Sequence, residues 1–244
     1  MRVIKPQHLA VMHRCLERQQ RAWLCVSTMA LVALDQNNAL LSEQEFWRFL
    51  TPILGDTPID IAIPKTGGEY LLTGNAVAPA GKPIDALQVQ VRLGSLEKAV
   101  NVFGQRIWMQ HQQSKPEPFT QISLDWANSY GGPTFSGNPQ GIGHQSQETP
   151  EGRLHVLPHL EHPKHPSVKP GETIPAISFA ALDPTAAARK RFDGSYTKDW
   201  LEQQFPGPPL DLDWRYFCCA SQDQWQPEPF VGDEAFELIH YQKY

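Results

Sequence analysis

The sequence predicts a mainly β fold of the α+β class: an antiparallel, meander- or sandwich-like sheet with a few short helices and a long proline-rich irregular wrap. Three observations predict it. Leu87, Val89, Val91 and Leu93 alternate with Gln88, Gln90 and Arg92, the period of a half-buried strand. The 22 prolines are skewed, six in residues 1–115 and sixteen in 116–244, and interior proline excludes a helical bundle from the second half. Seven Trp, six Tyr and eleven Phe run through both halves, whereas disordered chains are poor in aromatics. One domain over residues 1–244 is expected, with 1–110 forming the sheet and 116–244 a wrap holding two short helices and a final strand.

The elements follow in chain order. The longest apolar stretch, residues 22–34, is 13 residues long, and a bilayer span needs about 20. Glu17 and Gln19-Gln20 before it make an awkward leader, so a buried strand over 25–34 is expected. Ser42 and Glu45 have the spacing of a capping box, with Leu41 and Phe46 placed as a hydrophobic staple. Phe46, Phe49, Leu50 and Ile53 supply the apolar stripe of that helix, and Thr51-Pro52 ends it. Ile59, Ile61 and Ile63 mark a strand, and residues 70–73 another. Gly94-Ser95 is a two-residue hairpin loop with glycine at its first central position. The return strand places Leu96, Val100 and Val102 on one face, a pattern that Lys98 breaks. Gly104-Gln105 turns the chain again into Arg106-Ile107-Trp108, giving a three-stranded meander.

Residues 115–175 hold ten prolines and seven glycines and show little periodicity. Asp183-Pro184 then opens a short helix as N-cap and N1. Its last turn carries Arg189-Lys190-Arg191, cations that offset the helix dipole. Trp200, Leu201, Gln204 and Phe205 give a second helix over 197–205, stopped by Pro206-Gly207, and residues 235–241 a last strand.

Composition and motifs exclude several chemistries. With 21 Lys+Arg against 26 Asp+Glu, the formal charge of −5 provides no electrostatic footprint for nucleic acid or an anionic membrane. No Gly-x-Ser-x-Gly elbow and no phosphate-cradling Gly-Lys-Ser/Thr loop occurs. Cys15, Cys25, Cys218 and Cys219 form neither a CxxC pair nor a disulfide framework, which fits a reducing compartment. The vicinal pair Cys218-Cys219, read as part of a strand, would bury one thiol; a redox pair is the alternative. His155, His159, His162 and His165 are weak metal candidates. Pro158, Pro163 and Pro166 interleave with them, and a polyproline II segment would set 159, 162 and 165 about 9 Å apart. Only a tight loop could converge them on one ion. Asp211 and Asp213 flank Leu212 before Trp214, a spacing that does not by itself place them in one cleft for acid–base work.

A set of strings is more specific than any of these. In order they are Val3-Ile4-Lys5-Pro6, Leu41-Ser42-Glu43-Gln44-Glu45, Pro64-Lys65 with Glu69-Tyr70-Leu71-Leu72-Thr73-Gly74, Val91-Arg92-Leu93-Gly94-Ser95-Leu96-Glu97-Lys98 and Val102-Phe103-Gly104-Gln105-Arg106-Ile107-Trp108. Leu124-Asp125-Trp126-Ala127-Asn128-Ser129-Tyr130-Gly131-Gly132-Pro133, Asn138-Pro139-Gln140-Gly141, Asp211-Leu212-Asp213-Trp214-Arg215-Tyr216-Phe217 and Gly232-Asp233-Glu234 follow. In this order and spacing the chain resembles, over nearly its whole length, the bacterial family catalogued as domain of unknown function 2169.

The resemblance implies a cytoplasmic, non-catalytic adaptor or chaperone of type VI secretion, without cofactor. Its partners would be proteins: an effector with a PAAR-like tip domain and the VgrG spike that receives it. Nucleic acid and membrane are not expected partners. The chain departs from the family pattern at Cys218, Cys219, Ala220 and Ser221, where Asn and Pro are expected, and at His159, where Asn is expected. Many relatives continue beyond the Gly232-Asp233-Glu234 string. The first places to look for partner contacts are Trp126, Tyr130, Gly131, Gly132, Asn138, Pro139, Asp213, Trp214 and Arg215, although aromatics pinned by glycine turns also build cores. Two other readings stand beside the adaptor: a hydrolase of glycan or peptide using Asp211/Asp213 or a histidine-bound metal, and a structural component of the secretion apparatus.

Overall fold

The computed structural model describes residues 10–18, 21–29, 39–45, 47–48, 66–109, 111–150, 152–167, 172–182, 197–204, 211 and 213–242. The fold is mainly β with antiparallel sheets and a few short helices. The chain divides into two compact units, Met1–Thr66 with Phe192–Phe217, and Gly67–Arg191 with Cys218–Tyr244. The rise in proline content near residue 115 falls inside the second unit. No helix among the described residues is long and apolar enough to cross a membrane.

In the first unit, β1 (Ala10–Arg18) and β2 (Arg21–Met29) form an antiparallel ribbon in continuous register from Ala10↔Met29 to Arg18↔Arg21. The expected strand over 25–34 therefore starts earlier. Within that range Val26 is exposed, and residues 30–34 lie outside the described residues. The capping box forms as read: the Ser42 backbone N–H donates to Glu45 Oε2 at 2.8 Å, and the Glu45 N–H donates to Ser42 Oγ at 3.3 Å. Residues 43–45 and 47–48 are helical; Phe46, Phe49, Leu50, Ile53, the Thr51-Pro52 stop and the isoleucine strand lie outside the described residues. The helix over 197–205 is present with a different winding. Lys198-Asp199 lead into a π-helical turn, Trp200–Gln204, and the Trp200 N–H donates to Thr197 Oγ1 at 3.2 Å. The helix read after Asp183-Pro184 lies outside the described residues.

The second unit is built on a hairpin of β5 (Ala86–Leu93) and β6 (Leu96–Phe103), registered from Ala86↔Phe103 to Leu93↔Leu96. Gly94 makes the turn possible with φ 58°, a backbone state that costs an L-residue about 1–2 kcal/mol. β14 (Leu160–Glu161) adds to β6 and β16 (Phe236–Gln242) to β5, so the sheet order is β14-β6-β5-β16. Direct cross-strand partners share a face. One face thus carries Leu87, Val89, Val91, Leu93, Val100, Val102 and Leu160, which pack with Tyr70, Phe119, Leu124, Ile177 and Phe179 as the main core. The opposite face carries a charged row, Glu97–Arg92–Glu237, with N–O distances of 3.4 and 2.9 Å.

Two expectations are corrected. The third strand of the meander, β7 (Ile107–Met109), leaves the hairpin. It pairs with β8 (Gln112–Gln113) and with β13 (Gly152–Val156), which in turn pairs with β12 (Gln147–Thr149). The cause lies at Arg106, a buried side chain that donates to Glu161 Oε1 at 2.7 Å and to the Pro158 carbonyl at 2.6 Å, so the chain is tied down before β7 begins. Residues 70–73 form no strand. The strand here is β3 (Gly68–Glu69), paired with β15 (Trp225–Gln226). Beyond it the Tyr70 and Leu72 N–H groups donate to single carbonyls of Gln224 and Phe179, not to a ladder.

The proline-rich part holds more sheet than its lack of periodicity suggests. Besides β12–β16 it includes β9 (Gln121–Ser123), paired with β4 (Asn75–Val77), and the parallel bridge pair β10 (Tyr130–Gly131) and β11 (Ile142–Gly143). Ladders of two or three residues leave no alternation to read. The final strand forms as expected, one residue later, as β16. Because the Gly94 turn fixes the register of the central hairpin, Gly94→Ala is expected to lower the unfolding free energy by about 1–2 kcal/mol in urea titration.

Candidate functional site

Four places gather the side chains of interest. The first is the segment 123–144. Asp125 caps the 3-10 turn Trp126–Asn128, accepting from the Asn128 N–H at 3.3 Å, and its other oxygen accepts from Ser123 Oγ at 2.6 Å. The buried Trp126 indole donates to the Ala180 carbonyl at 3.0 Å. Asn138 is buried at the centre. Its side-chain amide donates to the carbonyls of Trp126 at 2.8 Å and Tyr130 at 3.1 Å, while its backbone carbonyl accepts from the Gly132 N–H at 3.0 Å. Residue 131 has to be glycine: a Cβ there would sit 2.1 Å from the Asn138 carbonyl oxygen. Tyr130 meets His144 through its hydroxyl at 3.1 Å and packs edge-on against Phe135. Trp126, Tyr130, Gly131, Gly132 and Asn138 are all buried, and Pro139 is half-buried. These residues form a self-bonded framework with little surface to present.

The second place is Lys98, which the alternation marks only as a break. Its side chain lies on the core face of β6, 4% exposed. The ammonium donates to the Ser178 carbonyl at 2.6 Å, Ser221 Oγ at 2.7 Å, Gln224 Oε1 at 2.7 Å and Asp223 Oδ1 at 3.0 Å, with the Phe179 ring 5.6 Å away. Gln224, fully buried, passes the network on to the carbonyls of Tyr70 at 2.8 Å and Phe179 at 3.2 Å. Burial pulls the Lys98 ammonium from 10.5 down to about 8, against the opposing pull of Asp223.

The third place holds the histidines, which are not strung along a straight polyproline segment. His155 is buried in β13 with its Nδ1 2.9 Å from Ser146 Oγ; burial lowers its pKa. The His159 Nδ1 lies 3.0 Å from the Phe103 carbonyl. His162 and His165 face each other across a tight turn, ring centroids 4.9 Å apart, and burial with the neighbouring His165 lowers the His162 pKa. Among the described residues no group of three or more His, Cys, Asp or Glu could hold a metal ion. Cys218 and Cys219 are both buried, because residues 218–220 follow a 3-10 turn and do not alternate as a strand would.

In the other unit, Asp213 and Arg215 form an ion pair with each other. The Arg215 Nε donates to Asp213 Oδ1 at 2.8 Å, and the guanidinium also bonds Oδ2. These hydrogen bonds hold the Asp213 carboxyl below the ordinary range. Trp214 is half-buried beside them, and Asp211 is exposed.

The fourth place is β16. At one edge of the main sheet β14 is continued by a bridge between Ser129 and Leu160. At the other, β16 pairs only with β5 among the described residues, and Phe236, Leu238 and Tyr241 are 54%, 45% and 46% exposed. Sequence reasoning located this strand without showing that it is an edge, since edge position is set by pairing partners far along the chain.

The family model for domain of unknown function 2169, described as an uncharacterized protein conserved in bacteria, matches residues 19–244. The chain belongs to this family. No curated protein and no solved structure matches it. The match to family 2169 takes in the Asn138 framework, the Lys98 network and β16, and it leaves out β1.

Two outcomes follow from the framework and the network. Asn138→Ala removes the amide donor from the Tyr130 carbonyl and from the Trp126 carbonyl, which keeps the Ser129 N–H, and is expected to cost about 2 kcal/mol in urea unfolding. For Lys98, the folded chain releases its proton near pH 8 while the unfolded chain keeps it to about 10.5. Unfolding stability attributable to Lys98 therefore rises with pH across that window, by on the order of 3 kcal/mol. The difference between wild type and Lys98→Met, followed by urea unfolding from pH 7 to 10.5, is expected to show this rise.

Proposed function

We propose that this chain is a non-catalytic adaptor or chaperone that binds a type VI secretion effector in the cytoplasm, one with a PAAR-like tip domain, and assists its loading onto the VgrG spike. The ordered strings that resemble the family support the assignment to secretion. The structural observation that carries a polypeptide-binding role is the open edge of β16. Seven residues in unbroken register leave their outer backbone groups without a strand partner among the described residues, and apolar side chains stand exposed along them. Such an edge is a ready template for an extended segment of another chain. Seven residues in register hold β16 against β5, and an edge ordered before binding reduces the entropy lost on binding.

Co-expression with a PAAR-like effector from the same genome tests this reading. The effector is expected to be recovered in soluble form and to copurify with the chain, and the chain to leave once the spike is assembled. Unchanged effector recovery with and without the chain would overturn the role for that pair, and retention in assembled particles would point to a structural component.

A further inference from the structure

An open edge does not by itself say what covers it; the rows of side chains running across the sheet do. On the core face, Phe236 lies opposite Leu93 and Leu238 opposite Val91, both buried. Among the described residues the apolar surface of the core therefore runs out along β16 without a cover. On the other face the row Glu97–Arg92–Glu237 alternates minus, plus, minus across three strands and ends at the edge in Glu237, which shares Arg92 with Glu97, so that the row carries a net charge of −1. β16 also lacks the usual defences of an edge strand. It has no proline, no lysine and no inward-pointing charge, and its register with β5 has no bulge. Within Phe236–Gln242 there is no lysine or arginine that a second copy could set against Glu237.

We infer that β16 accepts, as a fifth strand, an extended segment of a partner protein with the pattern apolar–basic–apolar. The lysine or arginine stands opposite Glu237 and closes the charge row. The two flanking side chains, which point to the other face, cover the surface beside Phe236 and Leu238. Backbone hydrogen bonds supply affinity, and the alternation supplies specificity. This deepens the proposed function and rests on it only for the identity of the partner.

The test uses the full chain and two labelled peptides of nine residues, alternating valine and threonine, one with lysine at the central position and one with glutamate. Fluorescence anisotropy at low salt is expected to show the lysine peptide binding about fivefold to tenfold more tightly, and the preference to reverse in Glu237→Lys. Hydrogen exchange at residues 236–242 is expected to slow on binding. The ion pair Glu237 makes with Arg92 is not needed for the fold, which a urea midpoint for Glu237→Lys close to wild type checks. Equal affinity for both peptides, or slowed exchange elsewhere than β16, would overturn the inference. So would sedimentation showing a dimer, without peptide, that Leu238→Lys dissolves, because a second copy would then occupy the edge. If the peptides discriminate as expected and no effector copurifies, the edge stands and the secretion role falls; effector capture with no peptide preference gives the opposite result.

Discussion

A single ammonium group holds the larger unit together. Lys98 sits where the pattern of β6 calls for an aliphatic residue, and burying an unpaired cation there would be prohibitive. The structure offsets part of the cost by bringing the Ser178 carbonyl and the side chains of Ser221, Asp223 and Gln224 to one nitrogen, from segments 80 and 123 to 126 residues distant in sequence. Gln224 spends its other valences on Tyr70 and Phe179, so the lysine fixes the layer that covers the core face as well as the strand it belongs to. A fully satisfied buried network of this kind specifies one arrangement of chain segments, because any other leaves donors or acceptors stranded. A second buried ion pair, Arg106–Glu161, lies on the opposite face and anchors the departure of β7, with the Arg106 Nε left unbonded among the described residues.

How much of this the sequence disclosed depends on the range of the forces involved. The β5–β6 hairpin, its Gly94 turn and the Ser42–Glu45 capping box are local. Their signals lie within a few residues, and they were legible. The turn from Gly104 into β7 reads equally well locally, but a buried arginine paired 55 residues away redirects it to another sheet. Residues 70–73 have strand composition and no strand, since their donors find carbonyls contributed by Gln224 and Phe179. The short ladders of the proline-rich half leave no period-2 trace.

The candidate site was legible in residue type and not in placement. Trp126, Tyr130 and Asn138 stand out in the sequence as large or amide side chains near glycines, and they are buried because Trp126 and Asn138 satisfy backbone carbonyls while Tyr130 meets His144. Lys98 reads as a flaw in a strand, although its position on the core face follows from the same alternation. His162 and His165 meet because Pro163-Lys164 make a turn, where a straight segment would have held them apart. Nothing within residues 236–242 says whether both sides of that strand are paired.

The two edges of the main sheet are unlike. β14 is bridged by Ser129 at Leu160, while β16 has no second strand partner among the described residues. A sheet with one closed and one open border has a valence of one. It can terminate a strand supplied by another molecule, but copies of it cannot stack edge to edge beyond a pair. Sheet growth through this chain alone is thereby capped, so an adhesive edge can be left exposed without becoming the seed of a fibre.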